Sequence, residues 1–204
     1  MIHTLDAVYR DFAERLNGLG TLVCAGGAVR DHLRAKPAKD YDLFLLGRTL
    51  DDDLAAKIKE RLGALEELKP LEFHKSEPYL VTTVRSEGVD VQVMVNPAPT
   101  LDDLLATFDW NVCLFGYDGQ VCAQESIDNI APGIDNIAPG KDLRLQKVTF
   151  PLSTLRRGFR FSERFGMRLI CDDALRLCRL VADGARIEPD MPALAANVLV
   201  EDPR

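Results

Sequence analysis

The chain has 204 residues, of which 47% are hydrophobic and 28% charged, and its formal net charge is -7. This composition is that of a globular protein with enough apolar side chains to form a sizeable core. It excludes a protein coated with basic residues over its whole surface, and no apolar run approaches the roughly 20 residues of a membrane-spanning helix.

The N-terminal residues and the cysteines predict a cytoplasmic protein. Residues 1–6 lack the basic start and the apolar stretch of a secretory leader. The five cysteines include no Cys-x-x-Cys pair and do not cluster with the three histidines, so we expect no zinc site. Their odd number and apolar neighbours favour buried free thiols in a reducing compartment. These cysteines are Cys24, Cys113, Cys122, Cys171 and Cys178.

Helices and strands alternate in the first third of the chain. Apolar residues at helical spacing predict an amphipathic helix over residues 3–17. Residues 21–25 predict a strand that enters a glycine turn, and a second helix follows over 29–35. The apolar run at 41–46 predicts the next strand. Polar residues around Asp51 then begin a helix that continues to about residue 64.

Two short motifs in this region indicate nucleotide chemistry. Gly26 and Gly27 follow the first strand, and glycines let backbone amides approach phosphate oxygens. Asp40 and Asp42 are two apart on a predicted strand, so their carboxylates share a face and suit a divalent cation such as Mg²⁺. A Gly-Gly turn or an exposed Asp-x-Asp alone is weak evidence. Together, with Lys39 beside the first carboxylate, they favour a nucleoside triphosphate site.

The middle of the chain predicts two hairpins. Residues 79–85 and 89–95 form the first, around a turn at 86–88. On its second strand Asp90 is the one acidic residue among valines. It is interpreted as an exposed edge residue or as a third carboxylate directed at the metal. A short helix is expected over 100–107, and a second hairpin joins 111–117 to 120–123.

The last third predicts a loop and a helical segment. Residues 127–133 repeat as 134–140, and the two Pro-Gly steps predict a surface loop. Helices are expected from residue 152, over 172–182 and over 189–200. The predicted organisation is a head over 1–125, a connector over 126–148 and a helical neck over 149–204.

A basic stripe crosses the connector and the neck. Residues 141–168 contain eight Lys or Arg against two acidic residues, a local charge of +6. Such a stripe on an acidic body is able to bind a polyanion, whereas the alternative is a solvated helix face.

The stretch from Gly26 to Asp42 resembles the signature of the poly(A) polymerase and tRNA nucleotidyltransferase (CCA-adding) family of bacterial type, within the DNA polymerase beta nucleotidyltransferase superfamily. That signature has Gly-Gly, then Val-Arg-Asp, a spacer and basic-Asp-x-Asp. Residues 88–91, 109–117 and 155–167 are similar to later family segments, so the resemblance covers roughly residues 20–170. It implies an α+β fold, with a polymerase-beta-type head of mixed or antiparallel sheet and flanking helices, followed by a small helical neck.

The resemblance also implies an activity and a site. The activity is metal-dependent, template-independent transfer of NMP from an NTP to an acceptor hydroxyl, with release of pyrophosphate and with an RNA, in particular a tRNA 3′ end, as acceptor. Two Mg²⁺ ions are expected, and Asp40, Asp42 and Asp90 are their implied ligands and catalytic residues. The expected nucleotide-binding residues are Gly26, Gly27, Arg30, Lys39, Asp109, Arg157 and Arg160.

Several of these residues have two interpretations. Arg30 either pairs with Asp31 or binds phosphate. Asp109 either positions the nucleotide sugar or anchors the neck. Arg157 and Arg160 either contact triphosphate or acceptor, since a guanidinium suits phosphate, or are ordinary surface arginines.

The sequence departs from the family pattern at three places. Thr107 and Phe108 replace the paired arginines before Asp109, and residues 150–154 lack the Glu-Asp-x-x-Arg that reads the base in CCA-adding enzymes. The long C-terminal body is also missing, so the chain resembles the compact nucleotidyltransferases that phages encode. Two alternatives therefore stay open. One is a nucleotidyltransferase that modifies a protein or small-molecule hydroxyl. The other is a non-catalytic nucleotide- or RNA-binding module, against which the intact Asp-x-Asp counts.

Overall fold

The computed structural model describes residues 4–73, 80–123 and 142–183. The α-helices are α1 Leu5–Arg15, α2 Gly27–Leu33, α3 Asp52–Leu62, α4 Leu101–Leu105, α5 Pro151–Phe165 and α6 Cys171–Ala182. The strands are β1 Thr21–Ala25, β2 Asp40–Leu46, β3 Glu66–Phe73, β4 Leu80–Ser86, β5 Val89–Asn96, β6 Phe115–Tyr117, β7 Val121–Ala123, β8 Asp142–Leu143 and β9 Arg168–Leu169. No helix in these ranges is long and apolar enough to cross a membrane.

Seven of the strands form one mixed sheet in the order β3-β4-β5-β2-β1-β6-β7. β2 and β5 pair in parallel, and the other neighbours pair antiparallel. This sheet with its flanking helices confirms the expected α+β class and is consistent with a polymerase-beta-like head.

The two faces of the sheet have different coverings. On one face the alternate residues Leu43 and Leu45 of β2 pack into the main core, to which the apolar sides of α1 and α3 also belong. On the other face Phe44 and Leu46 pack in a smaller cluster with Leu104 and Leu105 of α4. Because side chains alternate along a strand, Asp40 and Asp42 extend the second face beyond its apolar part. The carboxylates therefore lie where the apolar covering of the sheet ends.

The neck helix α5 is packed against the head through Trp110. The indole is fully buried, and its Nε1 donates to the carbonyl of Thr154 at 2.9 Å. Gly158, one turn further along α5, lies against the same ring: a Cβ built there would be 2.5 Å from Trp110 Cζ2. Phe165 and Leu177 belong to the same core cluster as the head, so α5 and α6 complete the hydrophobic core.

Some predicted elements differ from the structure. Residues 111–117 are not one strand, because Asn111–Cys113 is a 3-10 turn that precedes β6. The Asn111 side chain bonds the backbone of residues 142 and 144, which fixes this turn instead of continuing a ladder. β3 was not expected from its charged, proline-containing sequence. Residues 127–140 and 189–200 lie outside the described part of the chain.

The expectation of buried thiols holds for one of the four cysteines that the structure describes as free. Cys24 is buried and Cys113 half-buried, whereas Cys171 and Cys178 are exposed on α6. On that helix Leu177 is the fully buried residue. The helix therefore turns Leu177 to the core and Cys171 and Cys178 outward.

We expect Gly158→Ala to lower the free energy of unfolding by about 1–3 kcal/mol, the usual cost of an overpacked core. An exposed helical position would instead gain up to about 1 kcal/mol from the same change. Urea denaturation followed by tryptophan fluorescence measures this, since Trp110 is the single tryptophan. Arg156→Ala on the same helix is the control, with an expected effect within about 0.5 kcal/mol. A stabilised Gly158→Ala would contradict the packing described.

Candidate nucleotidyl-transfer site

Asp40 and Asp42 are half-buried at the start of β2. Burial and the neighbouring charge of Asp40 raise the pKa of Asp42 to about 6, and the positive charge of Arg157 acts in the opposite direction. The first two effects penalise the ionised carboxylate, since like charges repel and burial removes solvation. The site thus holds two acidic groups whose charges the protein itself only partly neutralises, which is the electrostatic setting of a cation site.

Asp90 lies on β5 directly beside Asp40, as the parallel register pairs these two residues. Its carboxylate, however, binds Arg85 of β4, with 2.9 Å from Nε and 2.8 Å from Nη2 to the same oxygen, Oδ1. The strand placement agrees with the expected third acid, whereas the side chain is engaged by an arginine. Its role as a metal ligand stays a prediction.

Asp40 and Asp42 fit one divalent cation that completes its shell with phosphate oxygens and water. Within the described ranges no group of three His, Cys, Asp or Glu side chains comes together to hold a metal. Mg²⁺ is commonly bound by one or two carboxylates together with substrate phosphates, so two hard oxygen donors on one strand face are an appropriate set.

The glycine turn leads from β1 into α2. Gly26 has φ +83°, a conformation that favours glycine, and its N–H donates to the carbonyl of Phe115 at 2.7 Å. That amide is therefore used inside the fold, which differs from the expectation that it contacts phosphate. Among the described residues no side chain caps α2, so the amide of Gly27 in its first turn is the remaining candidate.

Arg30 forms the buried ion pair that was one of its two interpretations. Its Nε donates to Asp31 Oδ1 at 2.9 Å, and both side chains are less than a tenth exposed. Arg34 and Arg164 also approach the Asp31 carboxylate, at 3.9 and 3.4 Å. The Val-Arg-Asp of the signature thus has a structural role here, as the centre of a charge cluster.

Phe165 completes this cluster. Its ring is fully buried, and the guanidinium carbons of Arg30, Arg34 and Arg164 lie 4.7, 5.4 and 5.1 Å from its centroid. Such contacts are favourable because the ring face is electronegative. Together with Asp31 they join α2 of the head to α5 of the neck. Local sequence patterns do not predict this arrangement, because Arg164 and Asp31 are 133 positions apart in the chain.

Asp109 anchors the neck, as one of its interpretations held. Its buried carboxylate binds Nη2 of Arg157, whose side chain is 42% exposed. The Nε of Arg157 is buried and has no hydrogen-bond partner in the described part of the chain. The charge of Arg157 also acts on Asp42, so this guanidinium lies near the carboxylates. Arg160 and Lys39 are both exposed on the surface.

Cys113 is a neighbour of this site that sequence reasoning missed. Burial, together with the charge of Asp109, raises the pKa of its thiol to about 12. Burial and then the charge of Asp42 likewise raise the pKa of the Cys24 thiol. Both thiols are protonated at neutral pH, so neither is a nucleophile, because the thiolate is the reactive form.

Residues 150–154, where the base-reading motif of CCA-adding enzymes would fall, serve packing in this protein. Phe150 caps α5 through its backbone, Pro151 occupies the first turn, and Thr154 is buried and receives the Trp110 hydrogen bond. Proline suits a helix start because its missing N–H would be unpaired there.

Comparison with solved structures finds CCA-adding enzymes. A tRNA-processing enzyme in its apo form I aligns with a TM-score of 0.58 and 17% identity, over 88% of this chain and 47% of its own. The Thermotoga maritima CCA-adding enzyme complexed with tRNA gives 0.53 and 21%, over 83% and 41%. A CCA-adding enzyme with ATP gives 0.54 and 18%, over 89% and 43%. At these identities the likeness confirms the nucleotidyltransferase-like fold, and this chain spans less than half the length of each.

The family comparison gives a different result. The model of the Gabija anti-defense 2 family protein matches residues 3–131. This chain belongs to the Gabija anti-defense 2 family. The matched range includes the glycine turn, β2 with both aspartates, and β5. The CCA-adding resemblance is therefore confirmed for the fold, and this family match does not confirm it for the family. Comparison with curated proteins finds no match.

Asp31→Asn is expected to lower the free energy of unfolding by about 3–5 kcal/mol, because it leaves the buried guanidinium of Arg30 without its counter-charge. Urea denaturation at pH 7 measures the change. Asp53→Asn is the matched control, since Asp53 pairs with Lys57 on the exposed side of α3, and its expected effect is below about 0.5 kcal/mol. A loss below 1 kcal/mol at Asp31 would be inconsistent with a structural role for the cluster.

Asp42→Asn is expected to stabilise the metal-free protein at pH 8 by about 1–3 kcal/mol. The pKa of Asp42 is higher in the folded state, about 6, than its ordinary value of 3.8. Ionisation of Asp42 therefore lowers the free energy of unfolding as the pH rises from 3.8 to about 6. Below this interval Asp42 is protonated in both states and has no such effect. Urea denaturation at pH 8 and pH 4 measures the difference. Equal effects at the two pH values would refute the electrostatic explanation.

Proposed function

We propose that this protein is a metal-dependent nucleotidyltransferase, which transfers NMP from an NTP to an acceptor hydroxyl and releases pyrophosphate. The observation that carries the proposal is the pair Asp40 and Asp42, adjacent on one strand face, with the pKa of Asp42 raised by burial and by Asp40. An enzyme site accepts such destabilisation when the charges are needed for a ligand.

In this proposal the carboxylates of Asp40 and Asp42 bind the metal ion. Asp40 and Asp42 would hold Mg²⁺, which would supply stabilisation of the charge that develops on the attacking and leaving oxygens. The chain itself mainly positions the reactants, since nucleotidyl transfer needs little covalent chemistry from the protein. In the metal-free protein the pKa of Asp42 is about 6, so protonation of Asp42 opposes cation binding as the pH falls below that value.

Arg157 and the glycine turn bind the triphosphate in this proposal. One arm of the Arg157 guanidinium is fixed on Asp109, and the side chain is 42% exposed, so its exposed part serves a phosphate oxygen. The amide of Gly27 is a second donor at the start of α2. Lys39 and Arg160, both exposed, are assigned to the outer phosphates or the acceptor backbone.

The first acceptor that we propose is an RNA 3′ end, in particular that of a tRNA. The arginines of α5 support this, because Arg156 and Arg160 are exposed on the helix that carries Arg157. A structure of one fold neighbour contains tRNA. Residues 150–154 serve packing, so this segment supplies no side chains that would select cytosine or adenine in the incoming nucleotide.

The family favours a second acceptor class, a hydroxyl of a protein of the Gabija defence. The family name connects its members with counter-defence against Gabija. Nucleotide transfer onto a serine, threonine or tyrosine of such a protein uses the same head and the same two carboxylates.

Incubation with each α-labelled NTP, Mg²⁺ and either total RNA or purified Gabija proteins distinguishes these acceptors. Labelled RNA supports the first acceptor and labelled protein the second. Asp40→Asn and Asp42→Asn should each reduce labelling at least about a thousandfold, the equivalent of about 4 kcal/mol of transition-state stabilisation. Asp53→Asn is the charge-matched control and should label as the wild type does. Absence of label with all NTPs and both acceptors would refute the proposal.

A further inference from the structure

Four charged side chains form one row across the sheet beside the site. The register aligns Glu66 of β3 with Arg85 of β4, Arg85 with Asp90 of β5, and Asp90 with Asp40 of β2. Directly paired residues on neighbouring strands present their side chains on the same face. In this row the cation Arg85 is the neighbour of Asp90, and Asp90 is the neighbour of Asp40.

Arg85 forms a two-nitrogen ion pair with Asp90. Two of its nitrogens donate to Asp90 Oδ1, at 2.9 and 2.8 Å, although both side chains are more than 40% exposed. The hydrogen bond and the charge of Asp90 raise the pKa of Arg85, and Glu66 on the other side contributes in the same direction. The guanidinium thus has acidic partners on both neighbouring strands.

We infer that Arg85 keeps Asp90 out of the metal centre, so that Asp40 and Asp42 alone supply carboxylates to the cation. This inference rests on the proposed metal-dependent function and identifies Arg85 as a positioning residue. The carboxylate of Asp90 is on the correct face, beside Asp40. It fails to act as a ligand because its charge is already compensated by charge-assisted hydrogen bonds.

The contacts of Asp90 agree with this assignment. Its Oδ1 accepts two hydrogen bonds from Arg85 of β4, whereas the register places Asp40 on the opposite neighbouring strand, β2. A cation with two protein carboxylates relies more on substrate phosphates and binds more weakly in the absence of nucleotide, because affinity rises with the number of charged ligands.

Mn²⁺ binding to the full chain tests the inference without any catalytic readout. Free Mn²⁺ is titrated by electron paramagnetic resonance at pH 7.5 for the wild type, Arg85→Gln, Asp90→Asn and the double variant. Arg85→Gln should tighten Mn²⁺ binding about tenfold by releasing a third carboxylate. Asp90→Asn should change the affinity of the wild type less than about threefold, and should remove the whole gain when added to Arg85→Gln.

The double variant separates ligation from a general charge effect. If Arg85→Gln and the double variant bind Mn²⁺ equally tightly, the arginine acts only through its field and the inference is wrong. It is also wrong if Asp90→Asn weakens the wild type about tenfold, since Asp90 would then already be a ligand, or if Arg85→Gln changes nothing. Arg10→Gln, which breaks an exposed pair with Asp6 on α1, controls for net charge. Mn²⁺ binding that survives Asp40→Asn and Asp42→Asn would instead refute the proposed metal site itself.

Discussion

The carboxylate of Asp31 is the interaction on which the arrangement of this protein depends. It is buried among Arg30, Arg34 and Arg164, and the ring of Phe165 lies under the same three guanidiniums. Breaking a buried set of this kind is costly because the remaining charges lose their partner. Since one arginine and the phenylalanine come from α5, the cluster sets the position of the neck on the head.

The position of α5 in turn shapes the site. With the helix held at Asp31 and at Trp110, Arg157 reaches Asp109 and acts electrostatically on Asp42. The head alone would present two mutually repelling carboxylates without this cation. Neck and head are thus linked physically: the same helix that closes the core also moderates the charge of the site.

Local patterns predicted strand β2 and the common face of Asp40 and Asp42, whereas the fold class was implied by the family resemblance. Alternation in β2 and β5, the glycine turn and the Asp-x-Asp were readable from neighbouring residues. The partners of Asp31, Asp90 and Asp109 were harder to predict. Arg164 and Arg157 reach their acids across many residues, since the packing of α5 determines those contacts. Arg85 and Asp90 are five apart across a two-residue turn, so the hairpin register contained a signal that composition alone did not reveal.

The central claim is that Asp40 and Asp42 form a cation site that receives the phosphates of an NTP. Its most direct test is a crystal structure with Mn²⁺ and a non-hydrolysable NTP analogue, with the metal located by anomalous scattering. The account predicts a manganese peak coordinated by Asp40 and Asp42, with the triphosphate beside Arg157. A peak elsewhere, or a nucleotide bound away from these carboxylates, would contradict it.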